Sequence, residues 1–229
     1  MALLLHIDTA TEYAGVCLSG NSTIIGIEEN NNPKNHAGFL QPAIQKIMQQ
    51  SGKTLQDLDA IAVTGGPGSY TGIRVGMASA KGICFALNKP LIVLNTLQVI
   101  AQATLKAMQQ GEQRPEPGFL IYPMIDARRM EVFAGIYTED LTPVGESAAL
   151  VLEKEFFASL TSNFSIVFCG NGSLKIPVEF LGSTRIVSPA QHNVNHMITL
   201  AEQAFSHNEF ADLAYAEPLY VKEFYSTKQ

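Results

Sequence analysis

The alternation of apolar and polar positions divides the chain into two successive runs of similar grammar. Residues 3–8 (Leu-Leu-Leu-His-Ile-Asp) form a continuous apolar stretch of the length of a strand buried on both faces. Ala14, Val16 and Leu18 then alternate with Gly15, Cys17 and Ser19, and a Gly20-Asn21 turn signal leads to a third run at 23–28, which predicts a three-stranded meander. Residues 37–50 place Leu40, Ile44 and Ile47 on one helical face and Gln41, Gln45, Lys46 and Gln49 elsewhere, an ordinary amphipathic helix closed by Ser51-Gly52. A strand at 57–63, a helix at 71–87, a strand at 90–94 and a helix at 96–110 complete the order βββαβαβα.

The helix over 71–87 differs from its neighbours. Ile73, Val75, Met77, Ala78, Ala80, Ile83, Cys84, Phe85, Ala86 and Leu87 surround it, and only Arg74, Ser79 and Lys81 add larger polar side chains, so no solvent face is expected. It is too short and too interrupted to span a bilayer. Gly72, Gly76 and Ala80 recur every four residues as a flat stripe open to close packing. Either the chain's own sheet and helices cover both sides, or a partner covers one.

Before that helix stands Gly65-Gly66-Pro67-Gly68-Ser69-Tyr70-Thr71-Gly72. A strand, a glycine-rich loop and a helix N-terminus can present amides to an anion, with Gly68 and Ser69 at the point of contact. No Gly-Lys-Ser/Thr follows, and Thr71 stands where a dinucleotide fingerprint needs its third glycine. The other reading is that the glycines only turn the chain tightly.

Residues 111–118 concentrate Gly, Pro and charge in a surface connector, and the strand pattern then begins again. Strands at 119–125, 131–137 and 144–152, a short helix at 153–160, a buried strand at 166–169 and a long helix at 189–207 give βββαβα. We expect an α/β chain of two RNase H-like halves, residues 1–110 and a smaller 119–229, with 111–118 between them. Two such halves face to face make the actin-like ATPase architecture of sugar kinases and chaperone ATPase domains.

In an ATPase of that kind Asp8, with Thr9, and its counterpart Asp126 would handle metal or phosphate. The turns after them, Thr9-Ala10-Thr11 and Ala127-Arg128-Arg129, lack the glycines that phosphate binding of this class uses, so Asp8 reads as a turn carboxylate. His6 reads as a core histidine. His192 and His196, four apart, have no evident third ligand and read as polar residues on the exposed first turns of the last helix; no metal is expected.

With 229 residues, 46% hydrophobic and 16% charged, the composition is that of a soluble globular protein. A formal net charge of −6 without any Lys/Arg block argues against autonomous nucleic-acid binding. Cys17, Cys84 and Cys169 are scattered in apolar runs, the pattern of reduced core thiols in a cytoplasmic protein. Met1 to Ile7 is too short for a signal peptide, and no apolar run reaches membrane-spanning length.

Leu5-His6-Ile7-Asp8-Thr9-Ala10-Thr11, the run from Gly65 to Gly76, Ile125-Asp126-Ala127-Arg128-Arg129 with Glu131-Val132-Phe133, and Ala216-Glu217-Pro218-Leu219-Tyr220 together resemble the bacterial TsaB (YeaZ) family, in order and over nearly the whole chain. The resemblance implies an actin-like fold and a non-catalytic relative of TsaD, a metal- and nucleotide-binding protein. It implies a role with TsaD and the small ATPase TsaE in making N6-threonylcarbamoyladenosine in tRNAs that read codons starting with A. TsaD-like proteins carry His-x-x-x-His on the first helix; here His36 is followed by Leu40. The family pairs with TsaD through its first two helices, so Leu40, Ile44, Ile47, Val75, Met77, Ala78 and Lys81 are the expected surface for TsaD and for a homodimer. Asp8, Thr9, Gly68 and Ser69 are the residues expected to touch any nucleotide or phosphate. No cofactor is expected on the chain alone, ATP or ADP only at a shared interface, and tRNA only through the complex. Lys222 stands near where relatives often have Arg. The competing class is an enzyme in its own right, a TsaD-like metallopeptidase or a phosphotransferase.

Overall fold

The computed structural model describes residues 2–30, 32, 35–111, 113–160, 164–181 and 184–222. Part of the link between the third strand and the first helix, Glu112 in the connector and the residues after Lys222 lie outside them. Strands β1 (Leu3–Asp8), β2 (Ala14–Gly20) and β3 (Thr23–Asn30) form the meander; α1 (His36–Ser51), β4 (Ala60–Gly66), α2 (Tyr70–Leu87), β5 (Leu91–Asn95) and α3 (Thr96–Gln109) follow. The second half contributes β6 (Leu120–Asp126), β7 (Glu131–Ala134), β8 (Ala148–Val151), α4 (Lys154–Ser159), β9 (Ile166–Cys169), β10 (Arg185–Val187) and α5 (Met197–Ser206).

The first sheet has the order β3-β2-β1-β4-β5 and the second β8-β7-β6-β9-β10. In each, the first three strands are antiparallel and the last two join in parallel. The two halves therefore share one topology, strand for strand, and the fold is a duplicated RNase H-like one. In the second half, the place of α2 is taken by two short 3-10 segments, Asn171–Lys175 and Val178–Phe180.

Alternation along the strands sorts side chains between layers. Leu5, Ile7, Ile61 and Val63 face outward onto α1 and α2, while Leu4, Ala60, Ala62, Ile92 and Leu94 face a central core shared with α3, α5 and the second sheet. The outer face of the second sheet is closed by Phe157, with Phe180 stacked on it at 4.4 Å. Each fully buried Leu or Ile contributes about 1.5–3 kcal/mol, so a strand with both faces covered is anchored twice.

The structure corrects several expectations. Leu40, Ile44 and Ile47 lie under the first sheet with at most 3% exposure, because the apolar face of an amphipathic helix is spent on its own sheet. The last helix begins at Met197, not at Pro189. Residues before it run extended, and Asn193 and His196 close a capping box around a short Val194–His196 turn. Its buried Met197, Leu200 and Ala201 belong to the central core against the first sheet, so the C-terminal end of the expected second half also completes the first. Strands β7 and β8 stop short of 131–137 and 144–152; Tyr137 instead makes single bridges to Ile121 and Pro143.

Candidate functional site

The turn carrying Asp8 and Thr9 packs against the turn carrying Gly68 and Ser69; Asp8 and Thr9 are fully buried, and polar groups of the two turns bond to Ala10, Thr64 and Gly72. Asp8, fully buried, accepts from the Ala10 amide (3.1 Å) and the Thr64 hydroxyl (2.8 Å) through Oδ1. Its Oδ2 lies 3.4 Å from His192 Nε2. Burial alone pushes this carboxyl up, but the nearby His192, with the Ala10 amide and the Thr64 hydroxyl, brings it below the ordinary carboxylate value, although Oδ2 and His192 Nε2 are not aligned for a hydrogen bond and neither has another hydrogen-bond partner among the described residues.

The glycine loop is pressed onto the β1–β2 turn. Ser69 N donates to Ala10 O (2.6 Å) and Thr9 Oγ1 to Gly72 O (2.7 Å), while Ser69 Oγ caps α2 by accepting from Gly72 N (3.3 Å). A Cβ on Gly68 would overlap Ala10 O, and one on Gly72 would overlap Thr9 O. The motif is thus a close backbone approach: the Ser69 and Gly72 amides are spent on Ala10 O and Ser69 Oγ, beside a cavity of about 1000 Å³ bordered by Gly68, Ser69, Thr71, Asp126 and Arg128.

Asp126 is met by a cation of the same chain. Lys175 Nζ lies 2.6 Å from its Oδ1, which also accepts from Arg128 N at 2.6 Å. Slight burial opposes ionisation, yet Lys175 and the Arg128 amide hold the carboxyl below its usual value. Asn171 joins the halves: its Oδ1 accepts from Asp126 N and its Nδ2 donates to both Glu12 oxygens, at 3.0 and 2.7 Å.

His192 and His196 are not exposed residues of a helix. His192, its side chain 10% exposed, points at Asp8; His196 Nδ1 accepts from Asn193 N at 3.0 Å, and burial above all pushes it down to about 4. They serve different partners, and among the described residues no group of three His, Cys, Asp or Glu could hold a metal. His192 could have been found by asking what neutralises a buried Asp8.

The second candidate surface is α2. Its buried face is Ile73, Gly76, Met77, Ala80 and Cys84; opposite stand Ala78, Gly82, Phe85 and Ala86, all exposed. The expected absence of a solvent face is corrected: small residues hid it, and Phe85 is 82% exposed. Of the seven expected interface residues, Met77 joins Leu40, Ile44 and Ile47 in the core. Val75 is half-buried, and Lys81 is tied to the carbonyls of Ala214 (3.5 Å) and Ala216 (2.8 Å). Ala78 alone looks fully outward. It borders a shallow cavity of about 500 Å³ between the helices, lined also by Gln41, Leu55, Ile83 and Leu87. The i, i+4, i+7, i+8 spacing of Ala78, Gly82, Phe85 and Ala86 was the available signal.

From Ala211 the chain runs back along α2. Leu219 N donates to Gly65 O (2.7 Å), Arg74 Nε to Tyr220 Oη (2.7 Å), and Lys222 Nζ to both oxygens of Glu131 (2.7 Å each). This segment therefore closes over the glycine loop and reaches the second half. Beside it the β6–β7 turn holds Arg128 (φ 72°) and Arg129 (φ 47°) in left-handed conformations. Such conformations cost a side-chain-bearing residue about 1–2 kcal/mol each; the Asp126–Arg128 bond and Glu131 N to Arg128 O (3.1 Å) hold them.

The architecture and cleft define a duplicated RNase H-like protein of the actin-like ATPase class, whose two cleft carboxylates are both engaged by side chains of the chain itself. Residues 23–217 match the family described as TsaD: tRNA N6-adenosine threonylcarbamoyltransferase. The tRNA threonylcarbamoyladenosine biosynthesis protein TsaB of Escherichia coli is 30% identical over 229 residues, covering 96% of this chain and 94% of that one. TsaB of Bacillus subtilis is 34% identical over 134 residues, 58% of this chain and 54% of its own. The chain belongs to the TsaB family. The structure of YeaZ from Pseudomonas aeruginosa, 24% identical, superposes with a TM-score of 0.79 over 96% of this chain and 100% of that one, showing the same fold.

Proposed function

We propose that this chain is a non-catalytic, cytoplasmic subunit that binds TsaD and supports it, with TsaE, in forming threonylcarbamoyladenosine next to the anticodon of tRNAs reading codons that start with A. One observation carries the reading: the exposed side of α2 presents Phe85 among Ala78, Gly82 and Ala86, a large apolar anchor on a flat small-residue surface beside an apolar groove. Soluble proteins rarely leave such a patch uncovered, and anchors of this kind set interface affinity. Without TsaD the same face pairs two copies of the chain.

The cleft supports the non-catalytic part. Phosphoryl transfer or metal-assisted hydrolysis needs open ligand positions and phosphate donors, whereas Asp8 and Asp126 are met by His192 and Lys175. His36, which opens α1, is buried and its Nε2 bonds to Thr11 O at 2.8 Å. On this reading the chain holds no nucleotide by itself, and ATP or ADP enters only at a surface shared with a partner.

The test is Phe85→Glu. The variant should stay folded and lose both self-association in sedimentation and TsaD binding in calorimetry, since an unpaired charge in a buried contact costs several kcal/mol, about 3–5. Normal TsaD affinity for a folded Phe85→Glu protein would remove α2 from the interface.

A further inference from the structure

The exposed row of α2 holds Thr71, Arg74, Ala78, Gly82 and Phe85, spaced i, i+3, i+7, i+11 and i+14. Of these five only Arg74 carries a charge, and at a helical rise of 1.5 Å per residue it lies about 16 Å along the axis from Phe85. A standard contact covers about 800 Å² on each partner, a patch wider than that distance, so a partner seated on Ala78 and Phe85 also covers Arg74. The guanidinium is already set in place: its carbon lies 3.7 Å over the Tyr70 ring, and Nε donates to Tyr220 Oη at 2.7 Å. That leaves its outer edge, Nη1 and Nη2, without a hydrogen bond or a carboxylate among the described residues.

A guanidinium covered by a partner without a counter-charge is strongly destabilising to the contact. The chain's own helices do not supply that counter-charge, because α1 and α2 contain no Asp or Glu. On β3 and in the turn after α1, Glu28 is held by Lys46 at 2.7 Å, and Asp57 by the Thr54 amide and hydroxyl at 2.7 and 2.9 Å. We propose that Arg74 is the specificity-determining residue of the docking face, its Nη edge taking a carboxylate that the partner brings. A second copy, meeting the face with the same two acid-free helices, brings none from them, so Arg74 favours a different, acid-bearing partner over self-pairing. The inference rests on the docking reading above and adds to it the chemistry by which the face tells TsaD from itself. A planar fork pre-set on a ring suits bidentate pairing, which a lysine at this position would not reproduce.

The test titrates the full chain with purified TsaD in nucleotide-free buffer over a salt series, with sedimentation of the chain alone beside it. Arg74→Gln should weaken TsaD binding roughly 10- to 100-fold and flatten its dependence on salt, and Arg74→Lys should recover only part of the loss. Self-association should be no weaker in either variant, and the melting temperature should move by less than about 2 °C, because Arg74 is exposed. A variant that merely disordered the face would weaken both assemblies, so the split between them identifies the ion pair. Phe85→Glu, measured alongside, separates the two claims. Its loss of TsaD binding together with normal binding by Arg74→Gln would leave the docking reading standing and overturn this one; normal binding by Phe85→Glu would overturn both. Equal weakening of self-association and TsaD binding by Arg74→Gln, or a loss seen only when ADP is added, would also overturn the proposal.

Discussion

Asp8 and His192 meet 3.4 Å apart across the join between the two halves, one on the first strand and the other 184 positions later, just ahead of the last helix. Their approach sets a side chain of the chain itself beside the carboxylate that an ATPase of this fold would offer to a ligand. Asp8→Asn and Asp126→Asn should therefore leave TsaD binding and tRNA modification by the assembled complex nearly unchanged. His192→Ala, which leaves Asp8 buried with one fewer partner, should cost about 1–3 kcal/mol of folding stability in urea. Lost modification in an intact complex carrying Asp8→Asn would reveal a catalytic role.

Acid should destabilise the protein well before its carboxylates titrate. Burial pushes His6 down to about 3 and His196 to about 4, from an ordinary 6.5. Between those values and 6.5 the unfolded chain binds more protons than the folded one, so stability rises with pH and is fully present above 6.5. Asp8, its value lowered, adds a loss only at more acid pH, below 3.8. Denaturation midpoints measured from neutrality down to pH about 4 should fall by an amount worth up to about 6 kcal/mol, about 3 from each histidine. His196→Asn, which keeps an acceptor for the Asn193 amide, should flatten part of that slope.

Two glycines of α2 should respond in opposite senses to the same substitution. Gly72→Ala drives a methyl into the Thr9 carbonyl oxygen and should cost about 3 kcal/mol, at the upper end of overpacking, because backbone cannot step aside. Gly82→Ala meets nothing within 4 Å and should stabilise the monomer by about 0.5–1 kcal/mol through helix propensity. Thermal melts of the two variants separate the contact from the exposed face.

Ile44 and Phe85, both apolar and both on the first two helices, should part company likewise. Ile44→Ala removes a core side chain and should cost about 2–4 kcal/mol. Phe85→Ala should change monomer stability by less than about 0.5 kcal/mol and weaken TsaD binding. Equal stability losses at the two positions would place Phe85 in the core after all.

The order of elements was legible because residues 3–8, 57–63 and 166–169 read as strands bounded by turn signals, and repetition of that order pointed to the duplication. Long-range relations were not. Nothing local to His192 names Asp8 as its partner, and the apolar residues of α5 do not say which sheet they join. For α2 the difficulty was chemical: alanine and glycine suit a buried or an exposed position equally, so only the packing of Ile73, Met77 and Cys84 reveals that Ala78, Gly82 and Ala86 face outward. Whether the donors of the glycine loop were spent or available depended on the approach of Thr9 and Ala10 to Gly68 and Gly72, which no local pattern encodes.

Because Met197, Leu200 and Ala201 of α5 complete the layer beneath β1, β4 and β5, a sheet made early on the ribosome is finished by a helix made more than a hundred residues later. Through most of synthesis the inner face of the first sheet lacks that layer, even though α1 and α2 can already cover the outer one. The surface proposed above for docking is thus assembled early and its support late. Docking before release would rest α2 on a sheet still open behind it, so firm association must wait for the finished chain.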